Sequence, residues 1–353
     1  MSHLIFGAGQ IGCFIGACMH EAGVDVSFLA RRHIKAMLEH GLLLTDYQGY
    51  RSEVTHLQCV DTTQARPFDV VWLTVKCTAV QPSLDELAAF VGQDTIIMCC
   101  QNGLGSDQIV RERFPNNQVL RVMVPFNVVL QENEQANSQV REVSKFANYH
   151  RGSEGTLCIE KNHSDRLAAW MKLMNSSCLD VAEESNMTGL QWAKLQLNLG
   201  NSVNALADIP VKAMLMQRNY RLVIASLMDE LLNVAQSQHI QLPKVASVKG
   251  HWIPYVLRLP DILFKLLANK MLAIDPTVRT SMWWDIKNGK PTEIQYLNGA
   301  VERAGQALGI ACPINNAIIA LISKKQNGEL KGAISASELR KYVLSNDSSK
   351  LNG

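Results

Sequence analysis

Lys194, Asn198 and Asn201 recur at i, i+4 and i+7 in the run from Gly189 to Ala207. On a helix that spacing puts an amine and two carboxamides on one stripe. The residues around them are mostly apolar, so the helix reads as buried, and a lysine out of water is stable only when paired or functional. Desolvation lowers a lysine pKa toward neutrality, where the ammonium can hand over a proton. Asn198, Asn201 and Asn204 are poor helix formers crowded into two turns, which calls for a compensating role. The same stripe also fits an exposed polar face. Two further polar candidates follow, Ser281 within Arg279–Asp285 and Glu293 within Lys290–Ile294. Pro291 suits a first helical turn, and a carboxylate at 293 would favour the positive end of that helix.

A second kind of chemistry is written at the start of the chain. Leu4-Ile5-Phe6 is a short apolar strand that runs into Gly7-Ala8-Gly9-Gln10-Ile11-Gly12, and a helical pattern follows to about Ala22. This strand, glycine turn and helix form the setting in which GxGxxG binds a dinucleotide. Gly7 permits the tight turn, Gly9 lets the backbone approach a pyrophosphate, and Gly12 allows close helix–strand packing. The helix start at Gln10 and Ile11 supplies amide donors to the anion. An NAD site usually presents an acid at the end of the second strand. Here Val24–Leu29 leads instead through Ala30 to Arg31 and Arg32, and a guanidinium pairs with a 2′-phosphate, which points to NADPH. Lys76 and Asn102 follow two further apolar strands and would line the same crevice, although a capping lysine and a turn asparagine would look alike.

These residues need a scaffold, and the chain is long enough for one. With 353 residues, about two domains are expected. Hydrophobic residues make up 47% and charged residues 19%, which excludes a disordered chain. A net charge of +2 without a basic cluster argues against a nucleic-acid partner. The nine cysteines are scattered without a CxxC pair, so neither a zinc site nor a disulfide scaffold is expected. No long apolar run and no leader pattern is present, so a cytoplasmic protein without a membrane partner is expected. Strand runs at 69–76, 95–100, Val119–Val129, near Val140–Tyr149 and Gly155–Glu160 alternate with helical stretches, as in a parallel sheet covered on both faces. After about Ser185 helical periodicity takes over, with long candidates at Gly189–Ala207, Tyr220–Gln238 and Glu293–Leu308. The division reads as a Rossmann-type α/β domain over 1–182 and an all-α domain over 183–353.

With these motifs in hand, the chain resembles the ketopantoate reductase (2-dehydropantoate 2-reductase) family. The likeness rests on Gly7–Gly12, Val75-Lys76, Gln101-Asn102-Gly103, Lys194-Leu195-Gln196-Leu197-Asn198, Ser281-Met282, Thr292-Glu293-Ile294 and Asn298-Gly299, in that order. It implies NADPH-dependent reduction of ketopantoate to pantoate, on the route to pantothenate and coenzyme A. Lys194 would protonate the ketone oxygen, Asn198 would bind the substrate hydroxyl with Asn201 beside it, and Ser281 would bind the carboxylate. Glu293 would hold Lys194 or the substrate. Arg31 would take the 2′-phosphate, with Lys76 and Asn102 lining the cofactor and substrate crevice. Two departures bear on the substrate. Ser202 stands where many members carry a second asparagine, and the stretch 249–278 is longer and more apolar than in compact members. A paralogous reductase for another 2-oxo acid or a 3-hydroxy acid is therefore an alternative, as is a non-catalytic NADP(H)-binding regulator. The partner implied is a small 2-oxo acid, and a homodimer through the helical half is compatible with the sequence.

Overall fold

The computed structural model describes residues 1–131, 146–175, 178–244, 249–267 and 277–344. Two compact units are present, one of Met1–Asn102 with Ser106–Met187, the other of Gly103–Gly105 with Thr188–Gly353.

The first unit begins β1 (Ser2–Phe6), α1 (Gln10–Glu21), β2 (Asp25–Leu29), α2 (Arg32–His40), β3 (Leu42–Asp46), β4 (Arg51–Val54) and β5 (Gln58–Val60). It continues through β6 (Val70–Leu73), α3 (Cys77–Val80), α4 (Leu84–Ala88), β7 (Ile96–Cys99), α5 (Ser106–Arg113), β8 (Val119–Met123) and β9 (Val128–Gln131). Last come β10 (Ala147–Arg151), β11 (Leu157–Glu160), α6 (Asp165–Met174) and β12 (Val181–Glu184). Eight strands form one sheet in the order β12-β11-β8-β7-β6-β1-β2-β5. The run from β8 to β5 is parallel throughout, and β11 joins β8 antiparallel.

Alternation along the central strands explains why their sequences are mostly apolar. Ile5, Val70, Trp72 and Met98 enter one core, whereas Leu4, Phe6, Val71, Leu73, Ile97 and Cys99 enter another. Successive side chains point to opposite faces, so a strand covered on both sides has few polar positions, His3 of β1 and Ser27 of β2 among them.

A second sheet, β4-β3-β10-β9, is an element the sequence reading did not anticipate. Its parallel pair joins Leu42 to Ala147 and Asp46 to Arg151. Pairing between segments so far apart leaves no local signal in five-residue strands. The expected strand Val119–Val129 is two strands, β8 and β9, parted around Pro125, which has no N–H for a ladder. Of the run near Val140–Tyr149, residues 140–145 lie outside the described residues, and the remainder enters β10. Strand β12 straddles the 182/183 division drawn from the break in periodicity.

The second unit is helical. It comprises α7 (Met187–Asn198), α8 (Gly200–Ala207), α9 (Val211–Leu215), α10 (Arg218–Ser237), α11 (Ile253–Arg258) and α12 (Asp261–Leu267). Then follow α13 (Ser281–Lys287), α14 (Asn298–Gln306), α15 (Pro313–Gln326) and α16 (Ala336–Leu344). Leu227, Leu231 and Val234 of α10 share one core with Leu195, Leu199, Val203 and Leu206. The single helix expected over Gly189–Ala207 is interrupted at Leu199, which keeps helical angles (φ −59°, ψ −27°). Ser202 Oγ donates to the Leu199 carbonyl at 2.9 Å, a back-bond of the kind that bends helices. The helix expected from Glu293 starts at Asn298 instead. Leu297 takes a non-helical conformation (φ −101°, ψ −94°), and Glu293 sits in the turn before it. The stretch 249–278 carries α11 and α12, and its residues 268–276 lie outside the described residues. No helix among the described residues is long and apolar enough to cross a membrane.

Candidate active site

In the first unit β1, β2, β6 and β7 run parallel, so the turns leaving them gather at one edge of the sheet, where open α/β sheets bind ligands. Gly7 follows β1 at φ +105°, a backbone region open to glycine without strain. Gly9 N donates to Gly7 O at 2.7 Å, and Cys13 N donates to Gly9 O at 2.8 Å to start α1. Helix α1 has no side-chain cap and no acidic residue in its first turn, so its leading amides are left for an anion. A Cβ placed on Gly9 would meet nothing within 4 Å. One placed on Gly12 would lie 2.6 Å from both Gly7 O and Thr74 Oγ1. Gly12 thus sets how closely α1 packs, and Gly9 leaves open ground beside the helix start. Gln10 is exposed and Ile11 half-buried at that start. This cradle fits the pyrophosphate of a dinucleotide.

The neighbouring turns are tied to it. Thr74 Oγ1 donates to Gly7 O at 2.7 Å, and Gln101 Nε2 donates to the carbonyls of Leu73 and Val75 at 2.7 and 3.0 Å. Cys77 Sγ donates to Asn102 O at 2.9 Å. The glycine turn, Lys76 and Asn102 are therefore held in register by Thr74, Gln101 and Cys77, to none of which the sequence assigned a role. Lys76 is exposed ahead of α3, and Asn102 is half-buried. Arg31 is exposed in extended backbone (φ −66°, ψ 154°) at the start of α2, and no acid stands between it and the end of β2.

The remaining candidates all lie in the second unit. Lys194 and Asn198 are half-buried one turn apart on α7, between the buried Ala193, Leu195 and Leu199. Asn201 is half-buried on α8, beyond the Leu199 interruption. Ser281 opens α13 and is exposed, whereas Glu293 is only 7% exposed in the turn before α14. Ser281 is drawn toward α8 through its neighbour Thr280, which hydrogen-bonds Asn204. Asn204 was visible only as one of three asparagines in a helix. Leu104 N donates to Tyr296 O at 3.2 Å, which is how Gly103–Gly105 joins this unit.

No cysteine is itself one of the candidates, and Cys77 touches them through the Asn102 carbonyl. Burial pushes the Cys13 thiol up to about 12 and those of Cys59 and Cys312 up to about 11, so they stay protonated at neutral pH. Among the described residues, no three His, Cys, Asp or Glu side chains gather in a way that could hold a metal ion.

Comparison with known proteins agrees in both halves. Residues 3–150 match the family model described as ketopantoate reductase PanE/ApbA, and residues 186–326 match its C-terminal counterpart. A 2-dehydropantoate 2-reductase of Streptococcus pyogenes serotype M6 is 24% identical over 332 residues, covering 91% of this chain and 97% of the relative. Among solved structures, a PanE/ApbA family ketopantoate reductase from Ralstonia eutropha has a TM-score of 0.74 at 24% identity, covering 93% of this chain and 99% of the other. D-mandelate dehydrogenase with NADH and anilino(oxo)acetate has a TM-score of 0.73 at 20% identity, again covering 93% and 99%. At such identities the likeness to the solved structures is one of fold. The two family models together take in most of the chain in the right order, and the chain belongs to the ketopantoate reductase family of nicotinamide-dinucleotide-dependent oxidoreductases.

Proposed function

We propose that the chain uses NADPH to reduce the ketone of a 2-oxo acid, with ketopantoate as the first candidate and pantoate as its product, serving pantothenate and coenzyme A synthesis in the cytoplasm. The observation that carries this reading is the half-buried pair Lys194 and Asn198, one turn apart on α7 among the buried Ala193, Leu195 and Leu199, in a chain of this family.

When bound, the reduced dinucleotide supplies the hydride that the carbonyl carbon takes up. Lys194 Nζ holds a proton and gives it to the carbonyl oxygen, so that charge does not build there. Glu293 holds Lys194 or the substrate in place. Asn198 hydrogen-bonds the substrate hydroxyl and Asn201 extends that contact, because a carboxamide both donates and accepts. Ser281 Oγ donates to the substrate carboxylate, and Asn102 hydrogen-bonds the nicotinamide ribose or the substrate. Gly7, Gly9, Gln10, Ile11 and Gly12 hold the pyrophosphate, Arg31 pairs with the 2′-phosphate, and Lys76 contacts the ribose or a phosphate. Arg31, without an acid ahead of it, supports NADPH for this chain, in contrast to the NADH bound by D-mandelate dehydrogenase.

The test follows NADPH absorbance with a panel running from ketopantoate to aryl-substituted 2-oxo acids. Ketopantoate is expected to give the fastest oxidation. A faster aryl substrate would make the chain a paralogous reductase. Tight NADPH binding with no turnover on any member would make it a regulator.

The same reading extends to a homodimer. Trp252, Tyr255, Ile262, Leu266 and Leu267 are all exposed on or beside α11 and α12, and apolar side chains grouped in this way mark interaction surfaces. Light scattering reads the mass directly, and a monomer at micromolar concentration removes this part of the proposal.

A further inference from the structure

Asn204 lies on α8 and is fully buried. A carboxamide out of water needs partners for both its ends. Its Nδ2 donates to Ile209 O at 2.8 Å, just past the end of its own helix. Its Oδ1 accepts from Thr280 N and from Thr280 Oγ1, both at 3.1 Å. Thr280 Oγ1 also stands 3.4 Å from Asn201 O, so either oxygen can take its single proton.

Thr280 is the residue ahead of α13, where a threonine hydroxyl normally accepts from an amide of its own first turn. No such cap is made, because the hydroxyl is turned to α8. The flanking residues are bound to the same stretch. Val211 N donates to Val278 O at 2.9 Å, and Asp208 Oδ1 accepts from Trp283 Nε1 at 2.6 Å and from Arg279 at 3.4 Å. The segment 278–283 is thus laid along residues 201–211, and Asn204 is its buried, central tie. Ser281 follows Thr280 directly, and Asn201 sits one turn before Asn204 on α8.

We propose that Asn204, acting through Thr280, is a positioning residue that fixes where the Ser281 hydroxyl stands relative to Asn201 and the α7 stripe, and so sets affinity for the substrate carboxylate. This rests on the reading of Ser281 given above. Asn204 touches neither substrate nor reacting atoms, so its loss moves KM and leaves the chemical step alone.

The experiment measures kcat, KM for the 2-oxo acid, NADPH affinity and melting temperature in Asn204→Ala, Thr280→Val, Thr280→Ser and Ser281→Ala. Loss of one or two hydrogen bonds at the tie is expected to raise KM by roughly tenfold in Asn204→Ala and about threefold in Thr280→Val. kcat and NADPH affinity should stay within about twofold, the pattern of lost uniform binding. Thr280→Ser keeps both donors and should restore the parent KM. Should Asn204→Ala fail to fold, Thr280→Val against Thr280→Ser decides alone, since it removes only one hydroxyl. A parent KM in folded Thr280→Val, with KM raised in Ser281→Ala, overturns the positioning role and leaves the reading of Ser281 standing. A parent KM in Ser281→Ala overturns both.

Discussion

A Cβ on Gly12 would stand 2.6 Å from the carbonyl oxygen of Gly7, so the first and last glycines of the turn are packed against each other. Gly12→Ala must push α1 away from β1. An overpacked core of this kind costs about 1–3 kcal/mol, visible in a urea midpoint. Gly9→Ala is the contrast. Its Cβ meets nothing within 4 Å and its φ of −81° suits any residue, so stability should hold within about 0.5 kcal/mol. Dinucleotide affinity should nevertheless fall, and unchanged affinity in Gly9→Ala would remove the pyrophosphate from that side of the turn.

Arg31→Ala should separate the two dinucleotides. Losing a charged hydrogen-bonded partner of a phosphate is worth about 1.5–3 kcal/mol, or roughly 10- to 100-fold in NADPH affinity. NADH lacks the 2′-phosphate and should be held about as before. Fluorescence titration with both cofactors reads this, and equal losses would end the case for a 2′-phosphate contact.

Lys194→Ala should cut turnover by roughly 10²- to 10⁴-fold, the usual contribution of a general acid, with NADPH affinity nearly intact. Stopped-flow oxidation of NADPH at saturating substrate is the measurement. A fully active variant would show that the proton comes from elsewhere.

His3 makes stability depend on pH. The Trp72 indole donates to His3 Nδ1 at 3.1 Å, so the imidazole proton resides on Nε2, inside the sheet core. Burial drives its pKa down to about 3, with the nearby N-terminal charge adding to the effect. The unfolded chain takes up this proton below about 6.5, whereas the folded chain resists it until about 3. Stability from this group is therefore complete above the higher value and is lost progressively as pH falls between the two. Denaturant midpoints from pH 7 to 4 should fall more steeply in the parent than in His3→Gln. Parallel curves would show that His3 is not the source.

How much of this was legible in the sequence depends on how local each feature is. The glycine turn could be read because strand, turn and helix are consecutive, and the sheet confirms the conformation that Gly7 needs and the packing that Gly12 allows. The two-sided burial of β1, β6 and β7 followed from unbroken apolar runs. Lys194 and Asn198 stood out because helical spacing fixes their common face whatever surrounds them. The start of α14 lies later than the sequence suggests: Pro291 and Glu293 are good first-turn residues, whereas the Tyr296 carbonyl in the turn before the helix accepts from Leu104 N, far along the chain.

What the sequence alone determined, then, is what neighbouring residues decide together: the alternation of the central strands with helices, the glycine turn, the basic residue after β2 and the polar stripe on α7. Tertiary structure decided what distant residues share. The parallel pairing of β3 with β10 joins Leu42 to Ala147, and Gln101 bridges the ends of β6 and β7. Thr280 gives up the cap of its own helix to reach Asn204. Each of these depends on a backbone or carboxamide group, which every sequence offers in abundance. Only burial, which makes an unmet hydrogen bond costly, selects the few that form.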